Sequence, residues 1–205
     1  MRHILSLLVI TTALVGCKNP GADVAPASVE AAPESEAKAA PSKPLASLSI
    51  DPSNSKVEFV GAKVTASHPG GFTDFGGKLD LGDPLEQSRI EITIQTASLY
   101  ADKEKLTKHL KSPDFFDVAQ FPTALFRSTE IKKEGEGHLI SGDLTLHGVT
   151  KRISFPASVA VTEAQVSANS EFSIDRKDFG IVYPGMPDDL IRDLVVIKLS
   201  LALPR

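Results

Sequence analysis

The side chains of this sequence that could do chemistry are few and far apart. There are 5 His and a single Cys. His68, His109, His138 and His147 stand singly along the chain, without the H-x-H or H-E-x-x-H spacing that brings two imidazoles onto one zinc ion. One Cys excludes both an internal disulfide and an all-Cys metal site. Nucleophilic catalysis fares no better. The chain has no G-x-S-x-G elbow, and Ser53-Asn-Ser-Lys56, which fits S-x-x-K, lies in a polar stretch ahead of a strand. Asp188, Asp189 and Asp193 offer carboxylate oxygens, but a calcium loop needs more of them in fixed order, so a solvated acidic turn is the simpler expectation. Gly70-Gly71 and Gly76-Gly77 are followed by no helix start and make no phosphate cradle. Asp175, Arg176 and Asp178 cluster at a strand end, where a carboxylate beside a guanidinium is expected to pin a turn. His68 reads as a loop residue beside Pro69 and His147 as a hydrogen-bonded turn residue. The expectation is no catalytic residue, no metal and no cofactor.

The lone cysteine has a different context. Residues 1–16 carry Arg2 and then an apolar run from Ile4 to Val15, too short to span a bilayer and typical of an export signal. Leu14-Val15-Gly16-Cys17 resembles a bacterial lipoprotein lipobox. That resemblance implies cleavage before Cys17, its acylation and a membrane anchor in the cell envelope. Lys18, in place of an Asp, resembles outer-membrane sorting, with the protein facing the periplasm. Residues 17–47 then read as a lipidated N-terminus and a disordered linker: among residues 18–47 there are five Pro, nine Ala and four Ser, too little apolar area to offset ordering entropy.

All 10 Phe and 2 Tyr fall at or beyond Phe59, so the packing material belongs to residues 48–205. A net charge of -4 argues against a nucleic-acid partner, which needs a basic face. The 41% hydrophobic and 23% charged composition excludes wholesale disorder and a polytopic membrane protein. The dominant pattern is alternation with period two. Ser88 to Thr96 places Ile90, Ile92 and Ile94 on one face and Arg89, Glu91, Thr93 and Gln95 on the other. Similar runs occur at Val57–Phe59, Phe75–Leu81, Ala124–Ile131, His138–Leu146, Arg152–Val161, Gln165–Ile174 and Leu194–Leu203, separated by Gly- and Pro-rich turns that include Pro69-Gly70-Gly71 and His147-Gly148. About eight such strands make a sandwich or an up-and-down barrel. One segment departs from the pattern: Asp102 is placed to cap a helix over Lys103 to Lys111, with Leu106 and Leu110 on one face, followed by Phe115, Phe116 and Phe121. These five apolar residues form either a lid over one barrel end or a crossover that fills core.

Three runs resemble the YceI-like family of lipid- or polyisoprenoid-binding proteins of bacterial periplasms. They are His109-Leu-Lys-Ser-Pro-Asp-Phe-Phe-Asp117, continuing to Phe121-Pro122 and Phe126; Ser141-Gly-Asp-Leu-Thr-Leu-His-Gly-Val-Thr-Lys151; and Phe172-Ser-Ile-Asp-Arg-Lys-Asp-Phe-Gly180. The resemblance covers about residues 48–205. It implies an all-β fold with a short helix: an extended eight-stranded antiparallel, lipocalin-like barrel whose lumen holds a long isoprenoid or acyl chain. Pro184 to Asp189 has no place in the general pattern. Inward-facing positions of such a barrel are the candidate lumen: Phe59, Phe75 and Leu79; Ile90, Ile92 and Ile94; Phe126, Leu144 and Leu146; Ile153, Phe155, Phe172 and Ile174. The implied function is a non-catalytic carrier or reservoir for a polyisoprenoid, isoprenoid quinone or fatty acyl chain. The alternatives are a side-chain-filled barrel serving as an interaction module, and a lipid-modifying enzyme built on His68, Asp175 and Arg176.

Overall fold

The computed structural model describes residues 19–32 and 44–205. The export signal, Cys17 and residues 33–43 of the linker lie outside the described residues. The alternating runs form antiparallel strands. They are β1 (Ser28–Ala31), β2 (Ala46–Ile50), β3 (Ser55–Ala62), β4 (Ser67–Phe72), β5 (Phe75–Leu81), β6 (Arg89–Gln95) and β7 (Leu99–Ala101), then, after the helix α1 (Glu104–Leu110), β8 (Thr123–Glu134), β9 (Gly137–Leu146), β10 (Val149–Val161), β11 (Gln165–Asp175), β12 (Gly185–Met186), β13 (Asp189–Leu190) and β14 (Leu194–Pro204).

The pairing runs β2-β5-β6-β8-β9-β10-β11-β14-β3-β4-β7 in one strongly curled sheet. Two residues separate β4 from β5, and β6 passes into β7 through a single 3-10 turn at Thr96–Ser98. Pairing of β5 with β6 therefore continues as pairing of β4 with β7, and the curl comes round on itself. Taking β4 with β5 and β6 with β7 as bent walls leaves nine walls, the short β2 beside the eight that the alternation implies. The β9–β10 hairpin turns on His147 at φ 51° and Gly148 at φ 75°, the paired positive values that a two-residue turn demands.

Two elements differ from the sequence reading. Pro69-Gly70-Gly71 is not a turn but part of β4, and His68 lies in that strand. Glycine is needed there because a Cβ on Gly70 would come within 2.4 Å of both the Phe59 ring and the Tyr100 carbonyl oxygen. The helix is α1, starting after Lys103 without a side-chain cap. Asp102 lies one residue before the N-cap position and meets His68 Nδ1 at 3.0 Å instead.

The largest difference lies in the supposed linker. Residues 19–32 are folded onto the barrel. Gly21 sits so close to Leu194 that a Cβ there would lie 2.6 Å from the leucine Cβ. Ala27 N–H donates to Ser173 O at 2.8 Å, Ser173 N–H donates to Ala25 O at 3.1 Å, and β1 pairs antiparallel with β10 from Ser28–Ser154 to Ala31–Lys151. The reason lies in β10. Its first part pairs with β9 as far as Ala157, and it pairs with β11 only over Ser158–Val161. Above that point the β10–β11 seam is open, and the N-terminal segment fills it. A strand slot accepts main chain whatever its composition, so counting apolar residues missed it.

The core has two parts. At the base, Leu48, Ile50, Phe75, Leu79, Leu81, Val166, Leu201 and Leu203 pack solidly. Toward the other end, Ile153, Phe155, Phe172 and Ile174 form a second cluster, against which Ala27 and Val29 of the N-terminal segment pack.

Candidate functional site: an apolar cavity and its rim

The two clusters do not meet as one solid core. Between the upper cluster and the rim lies a cavity of about 200 Å³. Its wall is aromatic on one side: Phe155 stacks on Phe172 with centroids 4.2 Å apart and planes 10° apart, and Phe126 lies 5.6 Å from Phe155. Ile92, Ile94, Leu144, Leu146, Ile153 and Ile174 complete it from neighbouring strands, and Phe59 enters from β3. Ten of the thirteen nominated lumen residues thus face one space. Phe75 and Leu79 do not; they belong to the packed base, where Leu79 borders a gap of only about 20 Å³. Ile90 borders only small gaps near the base. Alternation gives the face of a strand but not the depth along it, so these three could not be separated from the rest by sequence.

The top is closed by the segment after β7. Leu110, Phe115 and Phe116 all border the cavity, with Phe116 edge-on to Phe72 at 6.0 Å. Leu106 faces a wider vestibule of about 800 Å³ above them. Phe121 does not join this group; it packs on the His147 ring at 4.4 Å and holds the β9–β10 turn. Sequence reasoning missed Phe72, Ala124, Val195 and Ile197, which also line the cavity. The alternation of β14 carried the signal for Val195 and Ile197; Phe72 was hidden behind the glycines of β4.

Vestibule and cavity share Phe59, Gly61, Ala62, Leu110, Phe115 and Ile191, so the two spaces adjoin across these residues. The vestibule is mainly apolar as well, but charged and polar groups edge it: Lys63, Lys103, Lys105, Lys108, His68, His109 and Tyr183. His109 Nε2 contacts Asp114 at 2.8 Å, and its ring lies edge-on to Phe115 at 5.0 Å and Tyr183 at 5.2 Å. Pro184 to Asp189 forms the β12–β13 hairpin of this rim. Asp189 is hydrogen-bonded to Lys63 and to Thr65, and the Lys63 contact above all holds its carboxyl below the usual range.

The polar residues singled out by type are occupied structurally. Arg176 is buried and pins the strand end, but not through Asp175 as expected. Its Nη2 donates to Asp193 Oδ1 at 3.0 Å, Nη1 to Ile181 O at 2.6 Å and Nε to Arg192 O at 3.2 Å. Asp175 accepts from Lys177 N–H at 2.8 Å and caps the short turn Arg176–Phe179. The carboxylate that meets the guanidinium lies seventeen residues on, across a loop, and local spacing could not reveal it. His147 contacts Phe179 O at 3.2 Å, as a turn residue should. His138 is buried at the base, and burial lowers its pKa from the ordinary value. Asp143 pairs with Arg152 at 2.8 Å. Ser53 is held by Asp51 in the β2–β3 turn. Among the described residues, no group of three or more His, Cys, Asp or Glu is placed to hold a metal ion.

A strongly curled antiparallel sheet, solid at its base and hollow beneath an aromatic rim, defines a barrel-like β protein with an interior apolar cavity. Residues 48–203 match the model of the YceI-like domain, and the chain belongs to that family. Over 92 residues it is 44% identical to a UPF0312 protein of Photorhabdus laumondii, a match covering 44% of this chain and 47% of the relative. Over 125 residues it is 38% identical to a UPF0312 protein of Pseudomonas putida, covering 57% of this chain and 65% of the relative. The chain thus spans about half to two thirds of the length of these curated relatives. Among solved structures, BcnA of Burkholderia cenocepacia superposes with a TM-score of 0.67 at 24% identity, over 75% of this chain and 98% of that one. A polyisoprenoid binding domain from Saccharophagus degradans, implicated in plant cell wall breakdown, gives 0.63 at 17% identity, over 78% and 98%. These likenesses establish the shared fold.

Proposed function

We propose that this protein binds a long apolar chain in the cavity and acts as a non-catalytic carrier or reservoir. The ligand class is a polyisoprenoid, an isoprenoid quinone or a fatty acyl chain. The observation that carries the reading is the apolar cavity walled by Phe126, Phe155, Phe172 and their aliphatic neighbours, adjoining a lysine-bearing vestibule at the rim. The name of the Saccharophagus domain, which has the same fold, points the same way. Each buried methylene contributes about 0.8 kcal/mol, so about fifteen give roughly 12 kcal/mol before association costs are taken off. A binding role fits the polar groups as well, since His68, Asp175 and Arg176 are each engaged in separate contacts and do not converge on a reacting atom. The envelope setting belongs to the same proposal: acylated Cys17 as membrane anchor and a periplasm-facing domain, with the outer membrane favoured.

The test is rebinding of a fluorescent acyl-chain or prenyl probe by delipidated protein. Leu144→Trp pushes an indole into the cavity and abolishes binding, whereas Leu45→Trp, on an exposed residue, leaves it intact. Equal binding by both variants would overturn the assignment of the lumen.

A further inference from the structure

We propose that the rim of the barrel is a docking surface for an anionic lipid bilayer. The inference rests on the apolar-chain reading above and says where the chain is exchanged. Among the described residues seven large hydrophobic side chains are exposed, and four of them, Val64, Val182, Met186 and Leu190, stand on the loops and short strands of the rim. Val64 N–H donates to Leu190 O at 3.0 Å and β12 pairs with β13, so three of the four belong to one tip. Below the tip, Lys63, Lys103, Lys105 and Lys108 line the vestibule; Lys63 is paired with Asp189 and Lys108 with Glu104, so Lys103 and Lys105 carry the attraction to lipid phosphates. An apolar tip flanked by lysines suits the bilayer interface, where side chains of the first kind enter the acyl boundary and ammonium groups meet lipid phosphates. The vestibule adjoins the cavity across Phe59, Leu110 and Phe115, so displacing these side chains at a docked rim lets an acyl chain move inward without crossing water.

A second observation orients the molecule in the same sense. The N-terminal segment meets the barrel where Gly21 lies against Leu194, at the rim end of β14. Cys17 is four residues earlier, and four residues reach about 14 Å at most. An acyl anchor there draws the rim, not the base, to the membrane. With 11 residues in β14, about 36 Å along a strand tilted by about 40°, the base stays about 28 Å away.

The chain contains no Trp, so a single indole reports its own surroundings. The full chain carrying Met186→Trp is mixed with vesicles of phosphatidylcholine and phosphatidylglycerol that contain brominated acyl chains. The indole emission shifts to the blue and is quenched, while the base-end variant Glu136→Trp shows neither change. Adding Lys103→Glu and Lys105→Glu to Met186→Trp weakens the quenching, as does leaving out phosphatidylglycerol. Equal emission from both positions, or quenching at the base alone, overturns the proposal. The lumen reading is scored separately by bound lipid. Co-purifying lipid without rim quenching sinks the docking surface alone, and rim quenching in a protein that never holds lipid sinks the lumen reading alone.

Discussion

Leu79 and Leu144 both face the interior, yet they occupy different kinds of space. Leu79 is buried in the base beside a gap of only about 20 Å³, whereas Leu144 borders the cavity of about 200 Å³. Truncating each to Ala removes the same three carbon atoms. At Leu79 the loss combines transfer free energy with a new void in a close-packed region, and Leu79→Ala should cost about 3–4 kcal/mol. At Leu144 part of the side chain already faces vacant space, so fewer contacts are lost, and Leu144→Ala should cost about 1 kcal/mol in delipidated protein. At roughly 2–4 °C per kcal/mol, the melting temperature falls by about 6–16 °C for the first variant and by only a few degrees for the second. Urea unfolding of delipidated protein measures both, with unchanged m-values showing that the unfolded state is not the cause. Saturating lipid raises the stability of the parent protein, by about 2.7 kcal/mol at one hundred times the dissociation constant. It also enlarges the cost of Leu144→Ala, whose side chain then has a partner, and leaves the cost of Leu79→Ala unchanged. Equal costs for the two variants without lipid would refute the division into solid base and hollow top.

Three further outcomes follow from individual contacts. Burial, reinforced by Lys133, keeps the His138 imidazole below its ordinary pKa of 6.5, so the fold holds this contribution in full above that value and loses it as pH falls through the lower folded pKa. Acid unfolding curves should show that loss, and His138→Phe should flatten it. Ala27→Pro removes the donor to Ser173 O; residues 19–32 then lose hydrogen-exchange protection and become open to protease, while the far-UV signature of the barrel persists. Arg176→Ala leaves two carbonyl oxygens without their donor and Asp193 with Lys177 alone among the described residues, and should cost about 2–3 kcal/mol in urea unfolding, discounted because Asp193 is partly exposed; Arg176→Lys restores little, since one ammonium cannot reach all three acceptors.

What the sequence made legible was whatever repeats along a strand. The alternation of Ile90, Ile92 and Ile94, and its counterparts in β8 to β11 and β14, placed eight of the strands and the inward face of each. The His147-Gly148 turn was equally plain, because a two-residue turn needs residues that accept positive φ. Other features depend on partners distant in the chain. Gly70 and Gly71 read as a loop because their real reason, the closeness of Phe59 and Tyr100, is tertiary. Ser28–Ala31 shows no strand signal of its own, and its place is set by the gap that β10 leaves beside β11. Depth was illegible for a similar reason. Phe75 and Phe155 obey the same alternation, but one is buried in the base and the other faces the cavity. The tip built from Val64, Met186 and Leu190 falls in a stretch whose short strands repeat too little to register.

The most direct test of the account is a native mass spectrum of the full chain purified without detergent. The account predicts a population heavier than the polypeptide by the mass of one long-chain lipid, released on collisional activation and depleted by Leu144→Trp. A bare polypeptide mass that does not change after incubation with prenyl and acyl lipids would contradict it.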